Sequence, residues 1–328
     1  MNDLNLKVFD DDVEQKAIRQ GFGEGFLLAG RQDPNVVGLC ADLTESTKMI
    51  LFKKEFPERF IEVGVAEQNL ASVASGMAAM GKIPFISSYA MFSPGRNWEQ
   101  IRTTICYNNA NVKIAGSHAG VSVGPDGGSH QALEDIAITR VLPRMIVISP
   151  CDAIEARKAT VAAANVIGPA YIRLAREKTA VITTEEAPFQ IGRASILYQG
   201  SAKPELGIIA TGALVHKALL AAKELEADGI SSKVMNLSTI KPLDENAVIA
   251  LALETNRIVT VEEHQITGGM GSAVAECLAR RCPTRMAFIG VADRFGQSGQ
   301  PEELIEYYGM GTDSIIRAAR KLLNESSN

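Results

Sequence analysis

Short apolar runs alternate with amphipathic or small-residue stretches along this chain, and that alternation limits its folds more than any other feature. Strands of a parallel sheet are near-continuous apolar runs, because helices cover both faces. Strand and helix patterns in strict alternation therefore read as βαβ units. A helix is expected over 17–29, strands over 35–43, 60–65, 83–89 and 112–118, and helices over 67–80 and 97–106. Strand, helix and strand follow again over 144–150, 153–164 and 170–175. The stretch 183–205 is rich in turn residues and charge and reads as a linker with a short strand or two. A second series then begins: strands over 206–212, 231–239, 257–263 and 286–291, with helices over 213–228 and 269–281, and the chain finishes on 301–308 and a polar-faced helix over 312–323. The expectation is α/β, two doubly wound domains with mainly parallel sheets, spanning 1–188 and 189–328.

Size and charge agree with that organisation and exclude several functions. A chain of 328 residues suits about two domains, and 46% hydrophobic with 22% charged residues is enough for real cores. The net charge of −5 gives no basic stripe, so no nucleic-acid partner is expected. No apolar run is long enough for a bilayer, and the acidic first residues lack a signal-peptide pattern. Cys40, Cys106, Cys151, Cys277 and Cys282 include no CxxC pair and read as reduced thiols of a cytoplasmic protein.

Ligands of open α/β sheets gather at the carboxyl ends of strands, so polar residues just after each expected strand are the candidates. Glu67 stands in the first turn of an apolar helix, where Val63, Val65, Ala66, Leu70 and Ala71 would desolvate it. A first-turn Glu that merely complements the helix dipole is the simpler alternative. Residues 117–131 hold His118, Asp126 and His130 among four glycines, and glycine permits tight turns and close ligand approach. No third strong ligand cluster accompanies them, so a metal site is not expected. Arg19, Arg173 and Arg176 are candidates for gripping a phosphate. Gly268 to Ser272 looks like a phosphate-binding turn but lacks a Walker lysine, and reads as helix–strand packing.

The chain resembles the C-terminal half of transketolase, most closely the shorter polypeptide of split transketolases. The resemblance rests on Ala41-Asp42-Leu43-Thr44-Glu45-Ser46, then GVAEQN, SYAMF, SHAGVSVGPDGGSHQ, RLAREK, NLSTIKPLD, VTVEEHQITGGMGSAVAE and DRFGQSGQPEEL, in family order. It implies a thiamine diphosphate enzyme whose cofactor lies between two domains. One domain binds the diphosphate through Mg²⁺ or Ca²⁺, with a Gly-Asp-Gly motif that this chain lacks. The other binds the aminopyrimidine, and that is the first domain here. Glu67 matches the catalytic glutamate, which bonds the pyrimidine and promotes proton loss from the thiazolium carbon. Tyr89 and Phe92 match aromatic positions flanking the ring, a third falls near Gly95, and Asp42 matches a position at the cofactor interface. Arg19, Ser46, His118 and Arg176 match sugar-phosphate positions; Asp126 and His130 match contacts to substrate hydroxyls.

The resemblance thus implies a transketolase subunit that moves a two-carbon ketol unit from a ketose phosphate to an aldose. It would work with an N-terminal subunit carrying the diphosphate-binding domain and the metal, as an α2β2 heterotetramer. A subunit like deoxyxylulose-phosphate synthase, or one for a specialised sugar, is the alternative. A non-catalytic, partner-binding paralogue is the second.

Overall fold

The computed structural model describes residues 3–324. In chain order the first half forms β1 (Gln15–Ala17), α1 (Ile18–Gln32), β2 (Val36–Cys40), α2 (Ile50–Glu55), β3 (Phe60–Glu62), α3 (Glu67–Ala79), β4 (Ile83–Tyr89), α4 (Trp98–Gln100), β5 (Lys113–Ser117), α5 (Asp135–Arg140), β6 (Ile146–Ile148), α6 (Ala153–Ala164), β7 (Ala170–Arg173) and β8 (Lys178–Ala180). The second half forms β9 (Ser195–Gln199), β10 (Leu206–Ala210), α7 (Val215–Ala227), β11 (Ser232–Asn236), β12 (Thr239–Lys241), α8 (Glu245–Thr255), β13 (Arg257–Gln265), α9 (Met270–Arg281), β14 (Arg285–Val291), α10 (Pro301–Tyr307) and α11 (Thr312–Asn324).

Two mainly parallel sheets result, as the alternation of patterns implied. One has the order β12-β6-β7-β5-β4-β2-β3, and the other β14-β13-β10-β11-β9. Among the described residues, only an edge strand breaks the parallel arrangement in each, β12 against β6 and β9 against β11. β1 and β8 form a small antiparallel pair that the apolar pattern did not signal. No helix among the described residues is long and apolar enough to cross a membrane.

α1 shows why these residues fold this way. Ile18, Phe22, Phe26 and Ala29 lie three or four apart and are buried on one face. Phe26 stacks on Phe52 with ring centroids 4.1 Å apart and leans on Phe85 at 4.9 Å. Full burial of such a ring contributes roughly 1.5–3 kcal/mol. On another face Gly21 and Gly25 let α1 approach α6 so closely that a Cβ would overlap the carbonyl oxygens of Ala153 and Arg157.

Three local expectations are corrected. The strand expected over 60–65 stops at Glu62, whose carboxylate accepts the backbone N–H groups of Asp42 and Gly64 and turns the chain. The helix expected over 97–106 is one α-turn running into a π-helix, Ile101–Cys106. The strand expected over 231–239 is split, and its second part, β12, joins the sheet of the other half. The two halves are also joined by mixed cores. Val8, Val13, Cys151 and Ile182 pack with Leu206, Leu214 and Val234, and Ile136, Val147 and Tyr171 share a cluster with Ile209, Met235 and Ile240.

Candidate active site

The carboxyl ends of β4, β5 and β7 deliver most of the candidate residues to one place. Tyr89 ends β4, His118 follows β5, and Arg176 lies just beyond β7. The Tyr89 ring stacks on His118 with centroids 3.8 Å apart, and lies nearly parallel to Phe92 at 6.2 Å and 15°. His130 meets both rings edge-on, at 6.1 and 5.3 Å.

Glu67 opens α3 beside this aromatic group and is 1% exposed. Val65 does not bury it, being 71% exposed. The carboxyl instead sits among Ser88, whose hydroxyl lies 3.4 Å from Oε1, and Arg96, whose Nη1 donates to Oε2 at 2.6 Å. Asn97 donates to the Glu67 carbonyl at 3.0 Å and holds the helix end in place. Arg96 was missed by sequence reasoning, since an arginine in a loop is ordinarily a surface ion pair. Its guanidinium also lies 4.7 Å over the Phe92 ring. Gly95, near the third expected aromatic position, leaves no side chain there, and Arg96 is the residue beside it that covers Phe92. The Arg96 side chain is 48% exposed, so the pair is open to water on one side.

Arg19 gathers the residues expected to hold a phosphate. Its Nη1 donates to the Ser46 carbonyl at 2.7 Å and stands 3.5 Å from His118 Nε2, while Nε donates to the Arg176 carbonyl at 3.0 Å. Burial, then the Arg176 charge, lowers the Arg19 pKa. Burial and the nearby Arg19 and Arg176 push His118 down to about 3. Its Nδ1 lies 2.8 Å from the Ser117 hydroxyl. With Arg19 facing Nε2, the hydrogen bonds fit a neutral imidazole whose proton is on Nδ1. Arg19, Arg176, Lys16, Lys48 and Lys178 line one cavity of about 450 Å³ in which, among the described residues, Glu177 is the one carboxylate. A larger cavity of about 500 Å³, lined by Arg102, Cys106, Tyr107, Pro143 and Arg144, lies at the amino ends of β5 and β6 and holds none of the candidates.

Other candidates stand apart. Asp126 is exposed at the end of the short 3-10 turn Val121–Asp126. Asp42 is exposed at the end of β2 with φ 59°, held through its backbone N–H by Glu62. Arg173 is not available to a phosphate. It is buried, pairs with Asp135 at 2.8 Å, and donates to the Glu263 carbonyl. The turn at Gly268 to Ser272 is also closed to an outside anion. Glu262 accepts the N–H groups of Met270 and Gly271 at 2.6 and 2.7 Å, so the chain's own carboxylate fills the head of α9. Among the described residues no group of three or more His, Cys, Asp or Glu is arranged to hold a metal ion.

A buried carboxyl beside two parallel rings fits a flat heterocycle with hydrogen-bonding edges, which is the shape and chemistry of an aminopyrimidine. The family comes from comparisons with known proteins. Residues 14–181 match the family described as transketolase, pyrimidine binding domain, and residues 192–315 match transketolase, C-terminal domain. A protein of Methanocaldococcus jannaschii described as a transketolase C-terminal section is 44% identical over 94% of this chain and 96% of its own length. The 6-deoxy-6-sulfo-D-fructose transketolase subunit of a Clostridium species is 39% identical over 96% of this chain and 97% of that protein. A solved structure described as a split gene transketolase, an inactive beta4 tetramer, superposes with a TM-score of 0.87 at 44% identity, covering 94% of this chain and 98% of that one.

Proposed function

Because the chain belongs to the transketolase family, we propose that it is one subunit of a split, thiamine-diphosphate-dependent transketolase. It supplies the pyrimidine-binding domain, residues 1–188, and the C-terminal domain, residues 189–328. With a partner that carries the diphosphate-binding domain and its Mg²⁺ or Ca²⁺, it moves a two-carbon ketol unit from a ketose phosphate to an aldose in the cytoplasm. The observation that carries this reading is the buried carboxyl of Glu67 beside the parallel Tyr89 and Phe92 rings.

Thiamine diphosphate, when bound, supplies the electron sink for cleaving and forming carbon–carbon bonds. The protein supplies position and protonation. Tyr89 and Phe92 offer flat apolar faces, and Glu67 holds or exchanges a proton at the pyrimidine edge. Arg19 and Arg176, with Ser46 and His118, bind the substrate's anionic end. Asp126 and His130 meet its hydroxyl groups, His130 from its place against the two rings. Asp42, at the mouth of β2, lies toward the cofactor interface.

The absence of a Gly-Asp-Gly motif from this sequence supports a partner. So does the similar split-gene structure, whose tetramer of beta chains alone is described as inactive. An α2β2 assembly would pair each pyrimidine-binding domain with one diphosphate-binding domain. A specialised sugar is the second reading, favoured by the sulfo-sugar relative and by the cationic cavity, which suits a sulfonate as well as a phosphate. The test is ketol transfer by the purified chain, with thiamine diphosphate and magnesium, before and after adding a chain that carries the Gly-Asp-Gly motif. We expect no turnover from the chain alone and turnover from the mixture. Robust turnover by the lone chain would overturn the split-enzyme reading, and a panel of phosphorylated and sulfonated ketoses would separate the two substrate readings.

A further inference from the structure

The second domain grips the loop that carries the substrate-facing residues of the first. Residues 118–131 leave β5 and return toward α5, with positive φ at His118, Gly120, Gly124 and Gly127. The short turns within it are closed by local hydrogen bonds, such as Gly127 N–H to the Gly124 carbonyl and His130 N–H to the Gly127 carbonyl, and its neighbours fix where those turns sit. Glu263, on β13 of the second domain and 3% exposed, accepts the Ser122 N–H on Oε1 at 2.6 Å. Its carboxylate lies where a Cβ on Gly120 would be, so the loop backbone passes directly over it. The Glu263 carbonyl accepts from Arg173 at 2.7 Å, which ties the same strand to the first domain.

The opposite side of the loop is held by residues 296–301. Gln131 donates to the carbonyls of Val121 at 3.0 Å and Gln297 at 2.9 Å, bridging the loop to that segment. A Cβ on Gly128 would stand 2.7 Å from the Gly296 carbonyl oxygen, and one on Gly127 2.6 Å from the Ser298 hydroxyl. At Gly128 backbone lies against backbone, and at Gly127 against the Ser298 side chain, so this part of the loop is closely seated.

We propose that Glu263 is a positioning residue for the substrate-binding loop, and that the second domain thereby sets the placement of His118, Asp126 and His130. Glu263 touches no reacting atom. It fixes the start of the 3-10 turn, and the turn fixes how far Asp126 and His130 reach. The consequence for turnover rests on the function proposed above; the loop's dependence on Glu263 does not.

The test compares Glu263→Ala with Glu263→Gln, which keeps an acceptor oxygen at the same reach. In the reconstituted complex, Glu263→Ala should raise KM for the sugar substrates by roughly tenfold to a hundredfold, the range for a lost charge-assisted hydrogen bond, while kcat falls less. Glu263→Gln should recover most of that loss. Amide hydrogen exchange of the full chain, which needs no substrate, should quicken over 119–131 in Glu263→Ala and stay unchanged in α3 and α7. Unchanged KM, a Gln variant as impaired as the Ala variant, or exchange quickened throughout both domains would each overturn the proposal.

Discussion

Glu67 stands where two accounts of one carboxyl part company by orders of magnitude. As a purely structural residue it would only complement the helix dipole and hold Arg96, and Glu67→Gln, which keeps the shape, would hardly change turnover. As a proton partner of the cofactor, its replacement by Gln should slow the reaction by roughly 10²–10⁴-fold, as for a general acid–base group. Hydrogen–deuterium exchange at the thiazolium carbon in the reconstituted complex separates them, and a wild-type rate with cofactor bound would rule out the second. His118 offers a different test. Its pKa is pushed down to about 3, from 6.5. Between those values the unfolded chain binds the proton more readily than the folded one. Its contribution to stability is therefore complete above about 6.5 and is lost as pH falls toward about 3. NMR of the ring proton should show no titration of His118 between about pH 5 and 8, and a midpoint near 6.5 would contradict the geometry. Both residues were legible in the sequence as types in a place. Arg96 was not, because its role comes from the turn that brings it back over Phe92 and onto Glu67.

Among the elements, α1 gives the sharpest prediction. In an isolated helix Gly→Ala gains about 1 kcal/mol from propensity. At Gly21 the new methyl would overlap the Ala153 carbonyl at the head of α6. Overpacking of that kind costs about 1–3 kcal/mol, and here the obstacle is backbone, which yields least. Gly21→Ala should therefore lower the denaturant midpoint, and a raised midpoint would show that α1 and α6 can separate freely. The four glycines of α1 are plain in the sequence, where they count only against a helix. The purpose of Gly21 and Gly25 depends on a helix more than a hundred residues away, and that of Gly23 and Gly30 on the segment around α2. In the same way, Gly268 to Ser272 has the composition of an anion site, and only the fold shows Glu262 already occupying it.

At the scale of the whole molecule, the two halves share structure. β12 lies beyond the linker yet completes the first sheet, and hydrophobic side chains from both halves pack into common clusters. The halves should therefore unfold together. The single tryptophan, Trp98, lies in the first half, with its indole N–H bonded to the Ile138 carbonyl at 2.6 Å. Its fluorescence and the far-ultraviolet circular dichroism of the entire chain should report one coincident transition. A fluorescence transition well separated from the dichroism change would mean that the shared strand and cores do not couple the halves.

The α/β class, the two series and the family were readable from the sequence, and so were the candidate positions for a site. Those follow from apolar runs, turn residues and motifs, which are local. Tertiary structure alone decided that Arg96 lies on Glu67, that Arg173 is used up by Asp135, that Glu262 fills the head of α9, and that Glu263 supports the loop of the other half. Each of these depends on a buried charged group meeting its partner, eight or nine residues away for Glu262 and from 29 to 141 residues away for the others. Burial of a charge demands a partner, but no periodicity along the sequence says which partner the fold will bring.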